Sequence, residues 1–429
     1  MTLVFIILFG LMLVGVPVAF AIISSGVAYL ATNGMSILTL SQRLIYGLNS
    51  FTLLAVPLFI LVGNLMDFGG ISRRLTDWAK SLLGWMPGGL GIVTVFSCAI
   101  FAALTGSGPA TVAAIGSIML PSMIKSGYSK ESSAGLVAAA GALGPIIPPS
   151  IPMIIYGVTM SLSIPAMFAA GIVPGLMIAV ALCLVNVYFS LKSPEVRKRA
   201  GEVKFDFKYS LKMFWKALGA LGLPVLILGG IYGGIFTPTE SAAVGIVYAL
   251  VLGFALKELK IKDLPKILIS SLKTSTMVNF IIAAASLFSW VVSRSQVGKV
   301  ISKGFISMVG GNKNVYLILL ILILLVVGCL MDNVAATLIL APILIPIGVS
   351  LGCNPLHLGV LFCICLVVGF VTPPFGYNLF TAVSVSGLKF NQVVKGVIPY
   401  MITEVVLLVP LAFFPDIILC LPRAMGFSY

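Results

Sequence analysis

The chain has 429 residues, of which 60% are hydrophobic and only 9% are charged. A soluble domain carries about 25% charged residues, so this surface suits a lipid bilayer and excludes an ordinary water-soluble enzyme or binding module. The net charge of +14 does not call for nucleic acid, because Lys and Arg gather in the cytoplasmic loops of membrane proteins; no nucleic-acid partner is expected.

The opening run to Ile23 lacks the basic start and small-residue cleavage pattern of a secretory signal, and the first charged side chain is Arg43. It reads as a first span, over about 3–31, and a second follows over 44–68. A mixed segment, ISRRLTDWAKSLLGW, then suits an interfacial helix. Two apolar segments, 88–104 and 110–126, flank a polar, glycine-rich tip at Thr105–Pro109 and read as a re-entrant hairpin. The next long apolar span, 133–160, is broken near its middle by Gly144-Pro145-Ile146-Ile147-Pro148-Pro149-Ser150. Spans at 166–190, 214–236, 239–256 and 269–292 follow, with the basic stretch from Lys192 to Lys216 between the first two.

The pattern then returns. A mixed segment (QVGKVISKGFISMV) precedes a second hairpin, 313–330 and 334–350, with Met331-Asp332-Asn333 at its tip. A span over 355–385 is broken at Gly369-Phe370-Val371-Thr372-Pro373-Pro374-Phe375-Gly376, and a last span covers 396–420. At one common offset and without a gap, Pro121 falls on Pro346, Gly127 on Gly352, Gly144 on Gly369, Pro148 on Pro373 and Pro149 on Pro374. Matched apolar residues are cheap in membrane proteins; matched Gly and Pro are not, and they point to a duplication. Five spans separate equivalent points, and an odd number inverts the second copy. The expected fold is therefore an all-α polytopic membrane protein of two inverted repeats, each with a re-entrant hairpin and a broken transmembrane helix.

Placing the basic loop in the cytoplasm sets the orientation and puts the N-terminus there too. On the other side remain only Arg43, Arg294, Lys299, Lys303, Lys313 and Arg423. The first hairpin then opens to the cytoplasm and the second to the opposite side. Trp78, Trp85, Trp215 and Trp290 fall near span ends and suit an interfacial belt.

Proline removes a backbone donor and clashes with the preceding turn, so paired prolines in mid-span unwind the helix. Unwound backbone at membrane depth is tolerated where protein or a water-filled cavity satisfies it, and matched discontinuous helices mark transporter binding sites. Helix N-termini suit an anion, and freed carbonyls suit a cation such as Na⁺. Hydroxyls at Thr105, Ser107, Thr111, Ser150 and Thr372 and amides at Asn333 and Asn378 cluster at the matched breaks and tips. A carboxylate at membrane depth is costly and usually functional; Asp332 suits a cation, a substrate hydroxyl or ammonium group, or the capping of the next half-helix. Glu240, three residues after Thr237, fits a helix cap better than a site. The seven Cys sit mostly in apolar runs and read as small core residues, and with His357 the only His, no zinc or haem site is expected. No phosphate loop and no hydrolytic or redox constellation occurs, so neither ATP nor enzymatic activity is expected.

Gly106-Ser107-Gly108-Pro109-Ala110-Thr111, the Ile147-Pro148-Pro149-Ser150 break, Gly234-Ile235-Phe236-Thr237-Pro238-Thr239-Glu240 and the run from Gly369 to Gly376 resemble the large membrane subunit of tripartite ATP-independent periplasmic (TRAP) transporters, over nearly the whole chain. The resemblance implies an elevator-type secondary transporter of the bacterial inner membrane, driven by Na⁺. A small four-helix membrane subunit and a periplasmic binding protein that delivers an organic acid, such as a C4-dicarboxylate or sialic acid, are the implied partners. Because the chain opens on its first span, the small subunit is expected as a separate chain, or as a fused region this sequence does not include.

The implied division is scaffold helices over 1–68, an arm helix over 69–86 and a first transport half over 87–160, with its hairpin at 88–126. Scaffold helices with the cytoplasmic loop 191–216 occupy 161–292, and a second arm helix occupies 293–312. The second transport half covers 313–385, with its hairpin at 313–350, and a C-terminal helix covers 386–429. Carried over by position, one Na⁺ site would use Thr105, Ser107, Gly144, Ile147 and Pro149. A second would use Gly328, Gly369, Thr372 and Phe375. Substrate would meet Ser107, Thr111, Ser150, Asp332, Asn333 and Asn378. The rival readings are a stand-alone Na⁺/dicarboxylate carrier and, from another class, an ion channel.

Overall fold

The structure, a computed structural model, describes residues 2–200, 205–295, 304 and 310–427. It is all-helical over those residues, and eight helices are long and apolar enough to cross a membrane. Most of 293–312, where a second arm helix is expected, lies outside the described residues.

The first expected span is divided into α1 (Thr2–Leu13) and α2 (Val18–Thr32). Gly15 adopts a left-handed φ of 88° and Pro17 stands at the α2 N-cap, so the chain turns between them. The second is divided into α3 (Leu38–Leu48), a 3-10 turn at Phe51–Leu54 and α4 (Ala55–Phe68). The cause is local: Asn49 and Ser50 leave helical geometry at ψ of 64° and 120°. α5 (Ile71–Leu83) is amphipathic and buries Ile71, Leu75 and Ala79, while Trp78 packs between Phe96 and Phe214.

Between the repeats lie α10 (Ile164–Lys192), α11 (Pro194–Ala200), α12 (Phe207–Tyr232), α13 (Pro238–Ala255) and α14 (Leu264–Ser295). Single prolines at 174 and 224 sit inside α10 and α12 without ending them, whereas the chain leaves α-helical geometry ahead of each Pro-Pro pair, after Gly141 and after Gly369. α13 begins with a reciprocal cap: Glu240 Oε2 accepts from Thr237 N at 2.8 Å, and Glu240 N donates to Thr237 Oγ1 at 3.3 Å.

The first repeat contributes α6 (Gly89–Thr105), α7 (Gly108–Lys125), α8 (Lys130–Gly141) and α9 (Ile151–Thr159). The second contributes α15 (Lys313–Leu330), α16 (Asn333–Ser350), α17 (Pro355–Gly369) and α18 (Tyr377–Ser386). The last span is divided into α19 (Phe390–Phe413) and α20 (Pro415–Ala424), because Phe414, held outside α geometry ahead of Pro415, cannot continue the helix.

The leading halves of the two broken helices form the centre. Every residue from Leu356 to Gly369 of α17 and from Ser133 to Gly141 of α8 is buried. α8 crosses α19 where Gly135 faces Gly396, an approach that leaves no room for a side chain on either residue. Also on α19, Glu404 is fully buried, and neither carboxylate oxygen has a hydrogen-bond partner among the described residues. An unsatisfied buried polar group costs about 1–3 kcal/mol. Glu404→Met should therefore raise the thermal unfolding midpoint of the detergent-solubilised protein, and a lowered midpoint would show that the carboxylate has a partner.

Candidate functional site

Each repeat presents a tight tip between two helices. In the first, Gly106 turns the chain at a φ of 59°, a left-handed conformation that disfavours side chains. Ser107 is extended at the α7 N-cap and makes no capping bond, so its hydroxyl stays free for a ligand. In the second, Asp332 holds the equivalent N-cap of α16, and its Oδ1 accepts from Val334 N at 2.8 Å. α7 and α16 are both 18 residues long.

The first tip rests on the first break. A side-chain carbon on Gly144 would come within 2.6 Å of the Ser107 carbonyl oxygen, and one on Gly106 within 2.9 Å of that of Pro149. No backbone N–H among the described residues is directed to the carbonyls of Gly144, Ile147 or Pro149. Thr105 Oγ1 lies 3.3 Å from Thr111 Oγ1 and 3.3 Å from the Phe101 carbonyl. The five residues proposed from sequence for one cation thus fall on two contacting segments that carry uncommitted carbonyls and hydroxyls, a donor set suited to a hard cation.

The second tip meets the second break in the same way. A side-chain carbon on Gly369 would come within 2.6 Å of the Gly328 backbone, and Gly376 N donates to the Cys329 carbonyl at 3.2 Å. Thr372 is half-buried, and its hydroxyl donates to Val368 O at 2.9 Å, leaving lone pairs to accept or coordinate. Phe375 is exposed on the turn. The Gly369 carbonyl accepts from Thr372 N at 3.0 Å, so only part of its capacity is free.

Between the tips lies a cavity of about 540 Å³, walled by Ser107–Ala110 of one repeat and Asp332–Val334 of the other. α4 and α14 close it with Asn64, Asp67 and Thr274. Asn333 is its sharpest pointer to a ligand: the side chain is 2% exposed, and neither amide atom has a partner among the described residues. The wall holds two carboxylates, Asp67 and Asp332, and no basic side chain among the described residues. An anion here must be met by the uncapped N–H groups that begin α7 and by neutral polar side chains such as Asn333, because the start of α16 is already capped by the Asp332 carboxylate. A neighbouring chamber of about 630 Å³, lined by Arg73, Arg74 and Lys216, shares Asp67 and Ser117 with this cavity.

Three residues expected at the substrate stand off this wall. Ser150 is fully buried; its hydroxyl donates to the Pro145 carbonyl and accepts from Met153 N at 3.3 Å, which fixes the break. Thr111 Oγ1 donates to Ser107 O at 2.8 Å and braces the tip. Asn378 is buried with its Nδ2 on the Ala138 carbonyl at 3.0 Å, which ties α18 to α8. Sequence reasoning overlooked Asn64, Asp67 and Thr274. The first two are one turn apart in an otherwise apolar span, a signal available in retrospect. Asn64 Nδ2 donates to Ser271 Oγ at 2.8 Å, which joins α4 to α14 behind the cavity.

The fold and this chamber define a polytopic helical membrane protein with a solute-sized compartment between paired helix tips, the architecture of a permease. A family model described as tripartite ATP-independent periplasmic transporter, DctM component, matches residues 5–417, and the chain belongs to that family of TRAP large membrane subunits. It is 39% identical over 394 residues to the C4-dicarboxylate TRAP transporter large permease protein DctM of Pseudomonas aeruginosa, covering 92% of this chain and 91% of that one. It is 36% identical over 416 residues to the sialic acid TRAP transporter large permease protein SiaM of Vibrio cholerae, covering 96% of each. To the isethionate TRAP transporter permease protein DctMQ of Oleidesulfovibrio alaskensis it is 40% identical over 412 residues; the match takes in 95% of this chain but only 64% of that longer relative. The YdaH transporter of Alcanivorax borkumensis overlays with a TM-score of 0.57 at 16% identity, over 91% of this chain and 88% of that one; this supports the fold alone.

Proposed function

We propose that this chain carries an organic acid into the bacterial cytoplasm by Na⁺-coupled symport. It works with a small four-helix membrane subunit and a periplasmic binding protein that delivers the solute. The observation that carries this reading is the cavity between the matched tips, where the uncapped α7 N-terminus, the unpartnered Asn333 amide and the Ser107 hydroxyl converge. Na⁺ is cargo: one ion would sit at the contact of the first tip with the first break, the other at the contact of the second pair. The relatives named for C4-dicarboxylate and sialic acid transport support the solute class.

The two repeats are read as inverted, with the N-terminus and the basic loop in the cytoplasm. Matched helix boundaries and N-caps at Ser107 and Asp332 support the duplication, and the odd count of intervening spans and the uneven spread of Lys and Arg support the inversion and the orientation. The tips and broken helices are read as a transport domain that moves in elevator fashion against a scaffold of α1 to α4 and α10 to α14. The cavity lies where α4 and α14 face the two tips, so such a shift would carry its contents across the barrier.

Uptake by the complex in proteoliposomes tests the reading. Asn333→Ala should raise the half-saturating solute concentration about tenfold to a hundredfold, the loss of one hydrogen bond to a charged group. Asp332→Asn should impair uptake while leaving assembly with the small subunit intact. Ser150→Ala should leave solute affinity close to normal, because Ser150 is outside the wall. A shift for Ser150→Ala with none for Asn333→Ala would move the site away from this cavity.

A further inference from the structure

A second polar chamber, of about 520 Å³, lies on the far side of the two-tip cavity along the same helices. Three helices line both, and in each the residue facing the outer chamber follows the one facing the inner cavity by about one turn. These steps are Val278 to Ile282 on α14, Val334 to Leu338 on α16, and Pro152 to Ile155 on α9. Ile155, Ile282 and Leu338 are all buried and form an apolar floor between the compartments.

The outer wall differs in charge from the inner one. Arg43 is its one charged residue among the described residues, and no carboxylate faces it. The Arg43 guanidinium carbon lies 5.1 Å from the centroid of the Trp290 ring and 5.9 Å from that of Tyr46, which holds the cation over aromatic faces without an ion-pair partner among the described residues. Ser286, Ser289 and Ser293 of α14 add a row of hydroxyls below it. α3 and α14 touch at Gly47 and Ser286, where a side-chain carbon on Gly47 would overlap the serine. One turn from that contact, Arg43 and Trp290 meet at the mouth. An interfacial anchor of Arg and Trp alone needs no hydroxyl-lined chamber behind it.

We propose that this chamber is an outer vestibule that holds the carboxylate of the arriving solute, with Arg43 as the recognising cation and the α14 serines as hydrogen-bond donors. It rests on the reading of the chain as an organic-acid permease. The inner cavity has two carboxylates and no base among the described residues, so on its outer side the vestibule is where an arriving anion meets a fixed positive charge, with Arg73, Arg74 and Lys216 on the opposite side. The solute would pass from the guanidinium to the α7 N-terminus and the Asn333 amide, and Arg43 would govern capture rather than Na⁺ coupling.

The test has two arms, both run on the chain assembled with its small subunit. In the first, Cys183→Ala and Cys420→Ala remove the two cysteines that are not buried, and Ser289→Cys supplies a reporter. With each rate taken relative to that of the same reagent with a free thiol in solution, anionic sulfonatoethyl methanethiosulfonate should label it faster than cationic trimethylammonioethyl methanethiosulfonate. Arg43→Ala should reverse or collapse that preference by about tenfold, the effect of removing one unit charge several ångströms away at a protein edge. Arg43→Lys should retain it. Equal labelling by the two reagents, or an unchanged ratio in Arg43→Ala, would overturn the site. This arm reads without transport, so it stands apart from failure of the permease reading. In the second arm, Arg43→Ala should raise the concentration of loaded binding protein needed for half-maximal uptake, with the Na⁺ dependence unchanged. A collapsed labelling ratio with normal uptake would remove the vestibule from the transport path.

Discussion

Gly144→Ala and Gly369→Ala should each cut uptake by roughly fivefold to a hundredfold while leaving the chain in the membrane in near-normal amount. Each added carbon would meet backbone, the Ser107 carbonyl in one case and the Gly328 main chain in the other, at 2.6 Å. Backbone cannot swing aside as the end of a side chain can, so the tip must move off the break. Overpacking of this kind costs about 1–3 kcal/mol, and here the cost falls on the contact that gathers the freed carbonyls. The expected signature is a raised Na⁺ requirement, and its direction is the same for both variants because the two contacts are equivalent. Gly229→Ala is the control: a helical glycine with nothing within 4 Å, where alanine should be neutral or slightly stabilising. Normal Na⁺ dependence in both site variants would show that tip and break do not cooperate in holding a cation.

Gly396→Ala should be the most destabilising of the single-methyl changes. A carbon there would overlap the Glu131 carbonyl, and one on Gly135 would overlap the Gly396 carbonyl group across the same crossing. Both helices are buried at that point, so separating them opens the centre of the molecule. The cost is expected at or above the upper end of about 1–3 kcal/mol, because two main chains must part rather than one side chain repack. The thermal midpoint of the purified protein, compared with Gly229→Ala, reads it. Equal midpoints for the two variants would contradict the close crossing.

Much of this was legible in the residues because Gly and Pro act locally. Ser107-Gly108-Pro109 and Met331-Asp332-Asn333 have helix starts at matching places, and a helix is interrupted around each Pro-Pro pair. Thr237 and Glu240 form the cap their spacing implies. The interruptions at Gly15–Pro17 and Asn49–Ser50 were not legible, because prolines at 174 and 224 lie in equally apolar runs and leave their helices continuous. Whether such a residue kinks or ends a helix depends on what packs beside it. Ser150, Thr111 and Asn378 have the right chemistry at the right breaks, yet the two hydroxyls and the Asn378 amide nitrogen are used within the fold. Asn64, Asp67 and Thr274 reach the cavity only because α4 and α14 close over the tips, a long-range arrangement that no local spacing encodes.

The central claim, that solute binds in the cavity between the two tips and is coupled to Na⁺ held where the tips meet the breaks, is tested most directly by a cysteine placed in the cavity wall. Ala110 lines that cavity and is exposed to it, and nothing assigns its methyl group to a ligand. With Cys183 and Cys420 replaced by alanine, Ala110→Cys in the assembled complex should react with a small thiol reagent, and the organic acid should protect it only when Na⁺ is present. Protection that is independent of Na⁺, or labelling that the acid never slows, would contradict the account.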